Sequence, residues 1–562
     1  MSCHASLVYI GTAMIRRFFA HSLLISAAIT LIGAGSFSTS WAQAGDGAPH
    51  LETHGSVQQL VVDGKPFLIL GGELHNSSSS SLDYMKPIWP KLAAMNLNTV
   101  VTPLSWELIE PEEGKYDFSL VDGLLSQARE NHERIVFLWL ASWKNGMSSY
   151  PPVWVKRDTK RFPRVVIDGN EVNILSTLGK ATEEADARAF AALMAHIKQV
   201  DGQHTVLMMQ VENEVGVLGA SRDHSPEAEK TFAGAVPQEL TRYLASHRQT
   251  LYPELLALWE ENGAKTSGAW EEVFGPSART DEIFMAWHYA KFVQAVAAAG
   301  KASYAIPMYV NTWLGGNDTK PGSYPSGGPQ PRVVDIWKAA GSAIDIYSPD
   351  LYSPDFTGWT ARYHRAGNPL FIPETNGGPP GAAGAFYAFG EHQAIGISPF
   401  AIDGWAPGGW AAKNDPDNEL SESYKVLGEL SPLLLETTSP EMTHGFLLDS
   451  NHPSVQFEMN GYTVDVRLDE IFGHGSSRGF GLIVATGPDT FIGAGKGFRV
   501  DFHARKSGSQ HVGIAAVDDG SYHDGQFIPE RRLNGDENDQ GEFWRVDERS
   551  IHIERATLYR FD

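Results

Sequence analysis

Cysteine is almost absent from this sequence. The 562 residues include one, Cys3, so neither a disulfide framework nor a thiolate metal site can be assembled. Excess positive charge is missing too: 44 Lys and Arg stand against 67 Asp and Glu, a formal net charge of -23, which argues against nucleic acid or an anionic membrane surface as partner. The 20 histidines form no H-E-x-x-H pair, and scattered histidines are more often structural than metal ligands. Beyond residue 44 there is no apolar run of membrane-spanning length, so no stable membrane insertion of the mature chain is expected. Low-complexity tracts and short-period repeats are lacking as well. What remains is a chain with 42% hydrophobic residues, too long for one small domain and too apolar for disorder. A neutral substrate suits it, with neither metal nor organic cofactor expected; nothing in it sets an oligomeric state.

The one long apolar stretch is N-terminal. "MIRRFFAHSLLISAAITLIGAGSFSTSWAQA" (14–44) places Arg16 and Arg17 before an apolar segment that ends in small residues at Ala42-Gln43-Ala44, the pattern of a signal peptide cut after Ala44. Export to the periplasm or outside the cell is expected, by either the general or the twin-arginine route. Cleavage would remove Cys3 and both arginines.

From residue 45 to 432 one rhythm repeats, an apolar run followed by a longer amphipathic or loop-like stretch. The eight runs are 66–74, 97–106, 134–143, 205–214, 306–314, 344–352, 369–378 and 397–405. Runs apolar on both faces and separated by helix-length segments read as parallel strands under helices, and eight of them as a closed (β/α)8 TIM barrel, an α/β fold. The stretches 237–263 and 283–300, between runs four and five, have helical spacing and are expected to form an insertion beside the cleft. Residues 433–562 turn to alternating segments such as "VQFEMNGYTVDVRLD" (455–469) with Gly and Asp turns, an antiparallel β-sandwich accessory domain.

Such a barrel presents its chemistry at the strand C-termini. Glu73, Trp106, Glu107, Trp143, Glu214, Trp313, Tyr352, Glu374 and Trp405 fall there. Cleaving a glycosidic bond requires one carboxylic acid to protonate the leaving oxygen and one carboxylate to attack, or to activate water, at the anomeric carbon. Glu214 at the end of run four and Glu374 at the end of run seven can face each other across the mouth. The aromatics offer faces for a pyranose, although core packing accounts for each equally well. Lys144 and Asn145 follow run three, within reach of sugar hydroxyls or simply in a solvated loop. Gly475-Ser476-Ser477-Arg478-Gly479 fits G-x-S-x-G, but a β-like run follows where a nucleophile elbow needs a helix. "GAGKGF" (493–498) lacks the spacing and the Ser/Thr of a phosphate loop.

These residues resemble glycoside hydrolase family 35, mostly β-galactosidases, in a bacterial branch with a C-terminal sandwich. "QVENEVG" (210–216) is similar to its Q-x-E-N-E-Y-G, "WELIEPEEGKYDF" (106–118) to its W-N-x-x-E-P-x-x-G-x-Y-D-F, and "ASWKNG…PPVWV" (141–155) to its A-E-W-x-x-G…P-x-W-L region. The resemblance implies Glu214 as acid/base, Glu374 as nucleophile of a retaining mechanism, Asn213 on the sugar 2-hydroxyl and Glu212 in support. Departures are Val215 for Tyr, Glu107 for Asn, Ser142 for Glu, and Asn76 for the Tyr after His75. The expected activity is exo-acting β-galactosidase on oligo- or polysaccharides, with plant cell-wall fragments as substrate. Ser142 leaves a β-glucosidase or arabinopyranosidase open, and a non-catalytic carbohydrate-binding barrel is the alternative of a different class.

Overall fold

The computed structural model describes residues 47–316, 318–365, 367–405, 417–471, 474–505 and 511–561. The signal-peptide reading falls on residues 1–44, outside the described residues. Among the described residues no helix is long and apolar enough to cross a membrane.

All eight apolar runs are strands: β1 Ile69–Glu73, β2 Thr99–Ser105, β3 Arg134–Lys144, β4 Val206–Asn213, β5 Met308–Trp313, β6 Ile346–Leu351, β7 Phe371–Thr375 and β8 Gly396–Pro399. They close into one barrel in sequence order, β8 pairing with β1, every pair parallel. The burial on both faces that the composition demanded has two sources. Inside, Ile69, Val101, Val136, Leu138, Leu207, Tyr309, Ile346 and Phe371 fill the lumen. Outside, Val100, Phe137, Trp139, Met209 and Ile372 pack under the helices.

A small antiparallel sheet, His50–His54, Val57–Val62 and Lys65–Phe67, precedes the barrel. Its Leu60 and Val62 join the lumen core, closing the end from which the strands start and leaving the chemistry to the other end. The long β4–β5 connection is helical, as its spacing predicts, but half of that expectation needs correcting. Ala278–Ser303 is a 26-residue helix belonging to the barrel wall. It packs so tightly on the helix Lys180–Val200 that a Cβ on Gly300 would lie 2.4 Å from Phe190 Cε1. Only the shorter helices Pro226–Phe232, Gln238–Ser246, Pro253–Glu261 and Trp270–Phe274 form the excursion.

After the helix Asp417–Leu435 the chain becomes antiparallel, with one six-stranded and one four-stranded sheet. Phe446, Tyr462, Val464, Phe491, Phe498 and Trp544 share the core of these sheets, the alternation of inward apolar residues that a sandwich requires. Arg478–Gly487 is a strand, so the G-x-S-x-G match has no helix behind it. The sandwich docks on the barrel helix Gly378–His392 through two glycines: a Cβ on Gly390 would meet Gly445 Cα at 2.7 Å, and one on Gly445 would meet Tyr387 O at 2.7 Å.

Candidate active site

Four acids converge where β1, β4, β6 and β7 end. Carboxylate oxygens of Glu214, Asp350 and Glu374 lie within 4.8 Å of one another, and Glu73 interacts electrostatically with all three. Period-two alternation explains the convergence, because Ile69 and Ile346 point into the lumen and Glu73 and Asp350 follow four residues later on the same face. Asp350 is also the register partner of Glu374. Lys144, 8% exposed, is the cation that acts on Glu73 and Glu214.

Glu374, Glu214 and Asp350 each accept a hydrogen bond on one oxygen. Tyr352 Oη donates to Glu374 Oε1 at 2.6 Å, while Glu374 Oε2 is buried without a partner. Asn145 Nδ2 donates to Glu214 Oε2. The backbone N–H of Glu214 donates to Asn311 Oδ1 at 2.9 Å, and Asn311 Nδ2 donates to Asp350 Oδ2 at 2.7 Å. Around this cluster Glu73 Oε1 and Oε2, both amide atoms of Asn213 and Tyr309 Oη are buried without partners, and Asp350 Oδ1 is buried without a donor. Leaving a buried polar atom unpaired costs about 1–3 kcal/mol, so this density of unpaired atoms marks a surface built to bind something rich in hydroxyls.

Burial and then the charge of Glu374 push Glu214 up to about 7. Burial first, then Glu374, raises both Glu73 and Asp350 well above the usual carboxylate range. Like charges this close cannot all ionise, and the cluster titrates as a coupled set.

Residues 83–301 match a family model described as Beta-galactosidase (glycoside hydrolase 42), and 420–545 match a domain of unknown function, DUF5597. Beta-galactosidase-1-like protein 3 of Mus musculus is 30% identical over 29% of this chain and 24% of its own length, and the Beta-galactosidase of Xanthomonas manihotis is 36% identical over 17% and 14%. The barrel is β-galactosidase-like. The chain covers about a quarter or less of the length of these two relatives. The crystal structure of beta-galactosidase from Bacillus circulans sp. alkalophilus superposes with a TM-score of 0.45 at 16% identity, covering 66% of this chain and 57% of that one.

The β-galactosidase-like barrel gathers some of the residues expected at its mouth and sends others elsewhere. Glu214, Glu374, Asn213, Glu73, Lys144, Asn145 and Tyr352 belong to the cluster just described. Asn145 donates to Glu214 and the Tyr352 hydroxyl to Glu374. Trp313 remains exposed at the rim. Trp106 and Trp143 are corrections, both fully buried. Trp106 Nε1 donates to Glu110 at 2.8 Å and its ring meets Trp154 edge-on. Trp143 Nε1 donates to Leu175 O, and its ring packs against Tyr289 and Phe292 of the wall helix. They are core, not stacking faces. Glu107 is likewise occupied, paired with Lys156 at 2.9 Å. Trp405 ends a short helix, and its side chain lies outside the described residues.

Glu212 has its own partners. Its oxygens accept the backbone N–H groups of Ser142 (3.1 Å) and Trp143 (2.8 Å), and it hydrogen-bonds Asp186, which Ser142 Oγ and Trp139 Nε1 also reach. Ser142 therefore faces the helix Lys180–Val200. Sequence reasoning missed Asp350 and Asn311. The available signal was alternation from the lumen residues Ile346 and Tyr309, which brings residues 350 and 311 to the inner face.

Proposed function

We propose that this chain is a retaining exo-β-galactosidase in which Glu374 is the nucleophile and Glu214 the acid/base. One observation carries the proposal: carboxylate oxygens of the two residues approach within 4.8 Å, close to the roughly 5–5.5 Å carboxyl separation of retaining enzymes and well short of the about 6.5–9.5 Å that an inverting enzyme needs for its water. With Tyr352 on Oε1, Glu374 Oε2 is the oxygen that attacks the anomeric carbon as Glu214 gives its proton to the leaving oxygen. Bond formation removes the charge of Glu374. With that charge gone Glu214 loses part of what held its proton, and it becomes the base that takes a proton from water in the second step. Asn213 is assigned to the 2-hydroxyl, and Glu73 and Lys144 to other hydroxyls of the same sugar.

The donor is proposed to be a terminal β-D-galactosyl residue of an oligo- or polysaccharide. Plant cell-wall fragments and an exported location are proposed with it, on family analogy and the N-terminal pattern. Proton NMR of an aryl β-D-galactopyranoside digest tests the chemistry: β-galactose should appear first. α-Galactose first would mean inversion and a different role for Glu374, and no galactose would redirect the reading to another sugar or to a binding protein.

A further inference from the structure

Asp350 has no role in the two-glutamate scheme, yet its carboxyl is in the reacting cluster. It is 3% exposed, on the same barrel face as its register partner Glu374, and within 4.8 Å of carboxylate oxygens of both Glu374 and Glu214. Asn311 fixes how it is used. The Asn311 side-chain oxygen must face the Glu214 N–H, which can only donate, so its amide N–H group points at Asp350 Oδ2. Oδ2 is thereby the accepting oxygen. Oδ1 receives no donor, and the side chain's other polar contact is a hydrogen bond with the Glu214 carboxyl. Two carboxyls hydrogen-bond only if one carries the proton.

Resting on the glycosidase reading above, we propose that Asp350 is a positioning residue: a neutral carboxyl that donates from Oδ1 to Glu214 and, with Asn145, holds it aimed at the leaving oxygen in both its acid and base states. The surroundings set the proton on Asp350. Glu374 on β7, Glu214 after β4 and Glu73 on β1 all disfavour its ionisation, beyond the cost of burial. Tyr309 and Tyr363 also face it, both held neutral by burial, as does Tyr352, which burial and Glu374 keep protonated. Lys144 bears on Glu73 and Glu214. As long as Asp350 is neutral it adds no charge against the ionised nucleophile; its hydrogen bond to Glu214 counters the rise in that residue's pKa and steadies the anion formed midway through the cycle.

The test compares Asp350→Asn and Asp350→Ala with wild type by pH–rate profiles on an aryl β-galactoside and by infrared difference spectra at pH 7. Asn keeps a neutral donor, so its basic limb should stay with wild type while kcat falls about threefold; Ala removes the donor to a charged group and should cost about 10- to 100-fold in kcat. The wild-type-minus-Asn spectrum should carry a protonated carboxyl stretch. A basic limb moved down by a pH unit or more in Asp350→Asn would show that an ionised Asp350 had been retaining the Glu214 proton, and would overturn the proposal. So would absence of the carboxyl stretch, or equal kcat losses for Asn and Ala. No turnover by wild type would sink the glycosidase reading, while the infrared spectrum would still decide where the proton sits.

Discussion

Glu214→Gln separates the electrostatic argument from catalysis, because it should make the protein inactive on poor leaving groups and yet more stable at alkaline pH. Glu214 ionises near 4.5 when unfolded and about 7 in the folded site. Its folded pKa is raised, so its full contribution to stability is present below pH 4.5 and is lost as pH rises through 7. Above 8 the loss levels off at about 3 kcal/mol, from roughly 1.4 kcal/mol per pH unit. The amide has no such dependence, and removing the charge also relieves Glu73 and Asp350, which that charge disfavours. The stability gain of the variant over wild type should therefore be about 2–3 kcal/mol larger at pH 8 than at pH 5. Thermal unfolding of both proteins at half-unit steps from pH 5 to 9 measures it. An equal Tm difference at every pH, or one that shrinks with rising pH, would refute the assigned burial and like-charge crowding.

Other perturbations probe separate links of the same argument. Glu374→Gly should lose turnover of an aryl galactoside and regain part of it with azide, which fits the space of the missing carboxylate; normal turnover without azide would end the nucleophile assignment. Glu214→Ala should slow substrates with poor leaving groups far more than activated aryl ones, since only the former need strong proton donation, and equal losses would remove the acid role. Tyr352→Phe deletes the donor to Glu374 Oε1 and should lower kcat about 10- to 100-fold with folding unchanged. Gly445→Ala forces a Cβ to 2.7 Å from Tyr387 O and should cost about 1–3 kcal/mol by overpacking, whereas Gly202→Ala, with open space around it, should be near neutral; matching Tm values for the two variants would contradict the docking described for the sandwich.

The barrel was legible because its strands are apolar on both faces and each of the eight runs stands out from the helices around it. The inner face was harder to read. In "IDIYSPDLY" (344–352) the eye settles on the terminal aromatic, and Asp350 emerges only by counting from Ile346, which shares its parity. Trp143 was misplaced for a different reason. Its place at the strand end suggests the mouth, but its parity is that of Phe137, Trp139 and Ala141, which pack under the helices, so alternation along β3 already turns it outward. The indole meets Tyr289 and Phe292 there, and Lys144, on the parity of the lumen residues Val136, Leu138 and Leu140, faces the acids. Asp186 had no local signal, since its partners Trp139, Ser142 and Glu212 come from other elements of the barrel.

The same logic explains why "VENEV" carries two acids. In a regular strand residues 212 and 214 would share a face, and two glutamates side by side in the lumen would repel. Both instead adopt left-handed backbone, φ 64° at Glu212 and 45° at Glu214, a conformation rare for non-glycine residues that costs of order 1–3 kcal/mol at each. Partners over-determine it: Glu212 is tied to the Ser142 and Trp143 N–H groups, and the Glu214 N–H to Asn311. The break in alternation sends Glu212 toward the helix carrying Asp186 and Glu214 toward Glu374. One acid thus fixes the ends of β3 and β4 against each other, and that rigidity holds the other within reach of Glu374.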